Sequence, residues 1–415
     1  MNSRFKIAIL GFGLEGKSVM KYLKSNSEYQ NCEIMALDKK FSPDYLKNLK
    51  QFNIIFRSPG LPYLTKEIQS AKNAGVKITS ATKLFFDKCP CPIIGITGSK
   101  GKGTTATLLS KMLKTRWGDN IFLIGNIGLP ALKILPKLKK NSLVIFELSS
   151  FQLQDLRKSP NLSIVLDITP EHQDHHQTFK EYADAKSSIS RFQTKNDITV
   201  FSRNNPWPKK IAAQGNGRKI GFSLKDKKIL LSKIKKIIPL PGRHNLQNAY
   251  AATIAAKTLK IPEQKILREI KNFKGLPYRL ELIHKSPNIY NDSASTNPEA
   301  VIAGIKATNP TILIMGGKNK KLSYKNLRKA VLVSPIKKIY LYGDNKNELK
   351  NTVGKNKNIT VKILPTLSGA VKILKKEISK NDTALFSPGA ASFDQFKNYE
   401  ERGRKFNQLL NNYIK

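Results

Sequence analysis

A chain of 415 residues with 40% hydrophobic and 8% aromatic side chains has apolar material for two or three globular cores. No stretch reaches the roughly 18 apolar residues of a membrane helix. The first residues run into a strand-like segment with no export signal, so a cytoplasmic protein with no membrane span is expected. The net charge of +44 comes from lysines spread along the whole chain, without a basic tail or an aromatic-interleaved basic segment, which argues against a nucleic-acid partner and for a surface that concentrates anionic ligands.

Lys6–Leu10 reads as a buried strand, followed by Gly11-Phe12-Gly13-Leu14-Glu15-Gly16 and a helical pattern over 17–25. That glycine spacing alone suggests a nicotinamide dinucleotide. Further strands are expected at Glu33–Leu37, ending at Asp38, and at 53–57, before Ser58-Pro59-Gly60-Leu61-Pro62. This first unit closes near Pro90. Three cysteines, Cys32, Cys89 and Cys91, make no disulfide framework, and Cys89-Pro90-Cys91 lacks the spacer and second ligand pair of a zinc site.

A second series opens with a strand at Ile93–Thr97 and a helix over 103–114, then strands at 121–124, 143–148, 162–168 and 198–201 and an Ala-rich helix over 245–259. The segment 272–277 reads as a boundary. Strands at 288–290, 311–315, Lys338–Tyr342 and Thr383–Phe386 form a third series. Alternating strands and helices imply parallel sheets. The expectation is an α/β chain of three consecutive domains: a Rossmann-like domain over 1–90, a central P-loop ATPase-like domain over 91–275 and a Rossmann-like domain over 276–415.

Between strand and helix lies Gly95-Ile96-Thr97-Gly98-Ser99-Lys100-Gly101-Lys102-Gly103-Thr104-Thr105. Glycines let successive N–H groups turn toward phosphate oxygens, and the helix N-terminus adds partial positive charge. Gly98, Ser99, Lys100, Gly101, Lys102, Gly103, Thr104 and Thr105 are therefore expected to bind ATP, with Lys102 reaching the terminal phosphates. The residue after the lysine is ordinarily Ser or Thr, a Mg²⁺ ligand. Here it is Gly103, leaving Thr104 or a water in that role.

Glu147 ends a strand, facing the crevice where α/β proteins hold ligands, and is a candidate Mg²⁺ ligand. Three of the five histidines fall in Asp167-Ile168-Thr169-Pro170-Glu171-His172-Gln173-Asp174-His175-His176. Zinc is possible there, but adjacent phosphate chemistry points to a Mg²⁺ or substrate role. Lys186 follows on a helix.

With these motifs in order, the chain resembles the Mur ligase family over essentially its full length. The loop from Gly95 to Lys102, Gly125-Asn126-Ile127-Gly128, Glu147-Leu148-Ser149-Ser150-Phe151-Gln152-Leu153 and Gly242-Arg243-His244-Asn245 through Asn248 carry the likeness. Leu276-Pro277-Tyr278-Arg279-Leu280-Glu281, Asn291-Asp292-Ser293 with Thr296-Asn297, and Ser387-Pro388 with Ser392-Phe393-Asp394-Gln395-Phe396 continue it. The endings at Phe151–Leu153 and Ser392–Phe396 point to the D-glutamate-adding branch.

The resemblance implies a monomeric, ATP-dependent ligase that joins D-glutamate to UDP-N-acetylmuramoyl-L-alanine through an acyl phosphate, in peptidoglycan precursor synthesis. The implied UDP-substrate residues are Leu14, Glu15, Asp38, Lys40, Ser58, Asn126, Ser149 and Gln152. Asn245, Asn248, Arg279 and Asp292 would join the loop in holding ATP. Thr296, Lys320, Ser387, Ser392, Phe393 and Tyr399 would hold D-glutamate. Lys102, Glu147, His172 and Lys186 would be catalytic. Two Mg²⁺ ions would rest on Thr104, Glu147, His172 and a carbamylated Lys186. Ala294 stands where the family usually has Lys, a charge that Lys318 or Lys321 would have to replace. Other readings are a different Mur-type or folylpolyglutamate-type amino-acid ligase, an inactive relative, and a basic nucleotide switch that binds nucleic acid.

Overall fold

Ile7, Ala8, Ile9 and Leu10 have no exposed surface, as a strand covered on both faces requires. The computed structural model describes residues 5–125, 129–170, 178–319, 323–353 and 358–411. Its first sheet holds β1 (Lys6–Leu10), β2 (Glu33–Leu37), β3 (Ile54–Arg57) and β4 (Lys77–Thr79), all parallel, in the order β2-β1-β3-β4.

The second sheet holds β5 (Ile93–Thr97), β6 (Ile121–Gly125), β7 (Leu143–Glu147), β8 (Leu162–Val165), β9 (Ile198–Ser202) and β10 (Arg218–Phe222). All of its pairings are parallel, in the order β10-β9-β8-β5-β7-β6. β5 therefore has a strand on each side, and the chain reverses its direction of travel across the sheet there. This is the position where open α/β sheets bind ligands.

The third sheet holds β11 (Glu281–His284), β12 (Asn288–Asn291), β13 (Ile312–Gly316), β14 (Lys338–Tyr342), β15 (Thr360–Ile363) and β16 (Thr383–Phe386). The order is β11-β12-β16-β13-β14-β15, with only β11 antiparallel to its neighbour. The sequence pattern marks neither β4, β10, β11 nor β15. All four are outer strands, half covered, and their apolar signal is short or broken by charge, as in Arg218-Lys219 at the start of β10.

The chain forms two compact units, Met1–Ile237 with Gln247–Ile270 and Ile238–Leu246 with Lys271–Lys415. In the first, the two N-terminal sheets share one apolar core. Phe85 meets Phe146 edge-on at 5.6 Å, and Phe86 stacks on Phe146 at 6.1 Å. Helix Ala81–Lys88 of the first series thus packs against β7 of the second. In the second unit, Phe386 of β16 stacks on Phe406 at 4.2 Å.

Candidate active site

β5 stops at Thr97, and helix Lys102–Trp117 begins four residues after Gly98. Thr97 Oγ1 donates to the Leu148 carbonyl at 2.9 Å, tying β5 to the end of β7. The Ser99 backbone N–H donates to the Asp167 carbonyl at 2.9 Å, and Ser99 Oγ lies 2.8 Å from the Thr169 carbonyl and 3.0 Å from Tyr182 Oη. The loop is braced from both sides of the sheet. Gly101 has φ +85°, and a Cβ there would lie 2.2 Å from Asn248 Oδ1, so no larger residue fits. No side chain caps the helix, which leaves its first N–H groups to a ligand anion.

Lys102 Nζ donates to the carbonyls of Gly98 at 3.0 Å and Ser99 at 2.9 Å. Lys186 ends helix Phe179–Ala185 and is buried, its Nζ 3.4 Å from the same Gly98 oxygen and 4.5 Å from the centre of the Tyr182 ring. Both lysines line a cavity of about 290 Å³ with Ser149, Gln152, Tyr182, Phe151, Ser150, Pro59 and Gly60. Sequence reasoning marked Lys102, Lys186, Ser149 and Gln152. It missed Tyr182, although the spacing of four from Lys186 places the two on one helix face. Lys100 is exposed, Gly103 buried and Thr104 half-buried. Thr105 is fully buried, and its Oγ1 has no hydrogen-bond partner among the described residues.

Glu147 ends β7 in register with Ile96 of β5, one strand from the loop, and is 5% exposed. A buried carboxylate at that edge suits a hard cation that prefers oxygen donors.

Five of the expected UDP-substrate residues, Leu14, Glu15, Asp38, Lys40 and Ser58, follow β1, β2 and β3. Asp38 accepts the Phe12 N–H at 2.6 Å and the Lys40 N–H at 2.9 Å, and these bonds, the first above all, hold its carboxyl below the usual range. Ser58 Oγ donates to the Gly11 carbonyl at 2.7 Å. Gln152 Nε2 donates to Glu15 Oε1 at 3.0 Å, and burial pushes the Glu15 carboxyl up. Gln152 and Ser149 also close a capping box on the short helix Ser150–Leu153. Leu14 and Lys40 are exposed. Asn126, His172, Lys320 and Lys321 lie outside the described residues.

In the second unit, Asp292 follows β12. Its carboxylate accepts from the Leu280 N–H at 3.1 Å, from Ser387 Oγ at 2.9 Å and from Ser295 Oγ. Burial outweighs these bonds and raises the carboxyl to about 6. Ser387 and Ser392 are buried, Thr296 and Tyr399 half-buried, and Phe393 exposed. Arg402 is fully buried and donates to Ser293 Oγ at 3.0 Å, the Ser293 carbonyl at 2.8 Å and the Ala390 carbonyl at 3.0 Å, joining the loops that carry Asp292 and Ser392. Asn245 Nδ2 donates to the Pro241 carbonyl at 2.8 Å. Lys318 pairs with Asp344 at 3.0 Å in an exposed ion pair.

Comparison with known proteins adds independent findings. The Mur ligase middle domain model matches residues 96–256. A UDP-N-acetylmuramoylalanine–D-glutamate ligase of Acetivibrio thermocellus is 34% identical, over 98% of this chain and 96% of that protein. One of Clostridium tetani is 32% identical over the same shares, 98% and 96%. The structure of a MurF ligase from Thermotoga maritima in complex with ADP aligns over 99% of this chain and 96% of its own, with a TM-score of 0.61 at 17% identity, a likeness of fold.

Asp292 gives a pH prediction. Between the ordinary value of 3.8 and about 6, the folded protein holds a proton that the unfolded chain has lost, so stability falls as pH rises through that window. Asp292→Asn carries no such proton. Relative to this variant, the wild type should lose up to roughly 3 kcal/mol across the window, read by denaturant unfolding at successive pH values. A pH-independent difference would contradict the assignment.

Proposed function

The chain belongs to the Mur ligase family, and we propose that it is the ATP-dependent ligase that joins D-glutamate to UDP-N-acetylmuramoyl-L-alanine, releasing ADP and phosphate. The observation that carries this reading is the convergence of Lys102 and Lys186 on the Gly98 carbonyl, inside a cavity that also holds Ser149 and Gln152. Residues 1–90 would take the UDP moiety, 91–275 ATP, and 276–415 the amino acid.

The chemistry has two steps. The L-alanyl carboxylate attacks the γ-phosphorus of ATP, ADP leaves, and an acyl phosphate forms. The D-glutamate amine then attacks the acyl carbon, and phosphate leaves. Charge accumulates on the transferring phosphoryl oxygens in the first step and on the carbonyl oxygen in the second. Lys102 rests on the loop's own carbonyls. Bound ATP offers phosphate oxygens in exchange, and the ammonium and the uncapped N–H groups of helix Lys102–Trp117 then face the developing charge. Glu147 and Thr104 would hold Mg²⁺, which neutralises phosphate charge and orients the γ-phosphoryl group.

Burial of Lys186 beside a second cation supports its carbamylation. Loss of one proton gives the neutral amine, and addition of CO₂ with loss of a second proton replaces the ammonium with an oxygen-donor anion suited to Mg²⁺. Protein equilibrated with isotope-labelled bicarbonate should show a carbamate carbon resonance that Lys186→Met lacks. The same spectrum for both proteins would refute the modification.

The function is tested by ADP formation. Turnover should require both UDP-N-acetylmuramoyl-L-alanine and D-glutamate, with L-glutamate inert. Lys102→Ala should lower kcat by about 100-fold or more, the scale for removal of one oxyanion donor. Sustained multiple-turnover ADP formation without the amino acid, or near-normal turnover by Lys102→Ala, would sink the reading.

A further inference from the structure

Arg57 ends β3, where a cation in a lysine-rich chain would ordinarily face water, yet its side chain is only 1% exposed. Its guanidinium reaches two segments far apart in sequence. Nη1 donates to the Leu61 carbonyl at 2.6 Å, across the turn that contains Pro59 and Gly60. Nη2 donates to the Phe151 carbonyl at 3.0 Å and to Asp155 Oδ1 at 3.2 Å. Asp155 is itself buried, with Lys83 Nζ 3.8 Å from its other oxygen.

Pro59 and Gly60 form one wall of the lysine-lined cavity, and Phe151 and Gln152 belong to another. One planar group is therefore bonded to the backbone behind both walls. We infer that Arg57, held by Asp155, is a positioning residue that sets the gap between these walls and thereby the fit of the UDP-linked substrate. The inference rests on the proposed function for the identity of that substrate, but not for the geometry.

The chemistry favours arginine specifically. A planar fork can serve a carbonyl on one side and a carbonyl with a carboxylate on the other, whereas a lysine ammonium is a single point. Removal of one partner alone strands a buried charge and unfolds the region, which confuses stability with positioning. Replacement of both partners by apolar residues of similar size avoids that. Arg57→Met with Asp155→Leu keeps the apolar volume and deletes these bonds, and Lys83, which loses its contact with Asp155, keeps its bond to the Ile78 carbonyl at 3.1 Å.

The test combines this double variant with Arg57→Lys, hydrogen exchange of segments 58–64 and 149–155, and Michaelis constants for the UDP-substrate and for ATP. The double variant should retain the thermal midpoint and the KM for ATP. Exchange should quicken in both segments, and the KM for the UDP-substrate should rise about tenfold, the equivalent of one well-made buried hydrogen bond. Arg57→Lys should fall between. Unchanged exchange and KM would overturn the inference, as would a uniform rise in exchange and in every KM. If the wild type shows no D-glutamate-dependent turnover, the proposed function fails, and the exchange pattern alone decides the clamp.

Discussion

Two lysine side chains reach toward one carbonyl oxygen, that of Gly98, and much of the central sheet serves to bring them there. The sheet order makes the meeting possible. β5 lies between β8 and β7, so its loop emerges where neighbouring strands diverge, and Ser99 is held by the stretch after β8. Helix Phe179–Ala185 then delivers Lys186 from one side while the loop helix delivers Lys102 from below. The result is a pocket whose polarity suits a polyphosphate and a carboxylate together.

The apolar core shared by the first two sheets joins the segments that line this pocket into one body. Phe146 packs against Phe85 and Phe86, and the next residue of β7 is Glu147. Side chains alternate along a strand, so burial of Phe146 toward the first series aims Glu147 the other way. Arg57 adds a polar fastening near the same seam. The loops of the first sheet are thus held on the body that carries the phosphate loop, rather than hung on a flexible tether.

How much of this was legible in the sequence depended on burial and on local spacing. The central strands announced themselves because both faces are covered and their residues are continuously apolar, as in Ile93–Thr97. Of the outer strands, β2 and β6 were legible, whereas β4, β10, β11 and β15 were not, their apolar signal being short or broken by charge. The phosphate loop was legible because its function demands closely spaced glycines and a lysine within one short segment. Arg57 was not, because an arginine at a strand end reads as surface until the partner at Asp155 is brought to it. The pairing of Glu15 with Gln152 is likewise a product of topology. In the C-terminal unit, Asp292 is expected as an ATP ligand, and what the structure shows of its carboxylate is a knot that binds Leu280, Ser295 and Ser387. Motif spacing cannot reveal that internal role.

The central claim is that ATP activates a carboxylate in the pocket of Lys102 and Lys186. Isotope transfer tests it most directly. A UDP-linked substrate whose L-alanyl carboxylate carries heavy oxygen is turned over with ATP and D-glutamate, and the released inorganic phosphate is analysed by mass spectrometry. Passage through an acyl phosphate predicts that each phosphate released carries one oxygen from that carboxylate. Phosphate without the label, formed alongside amide product, would contradict the account.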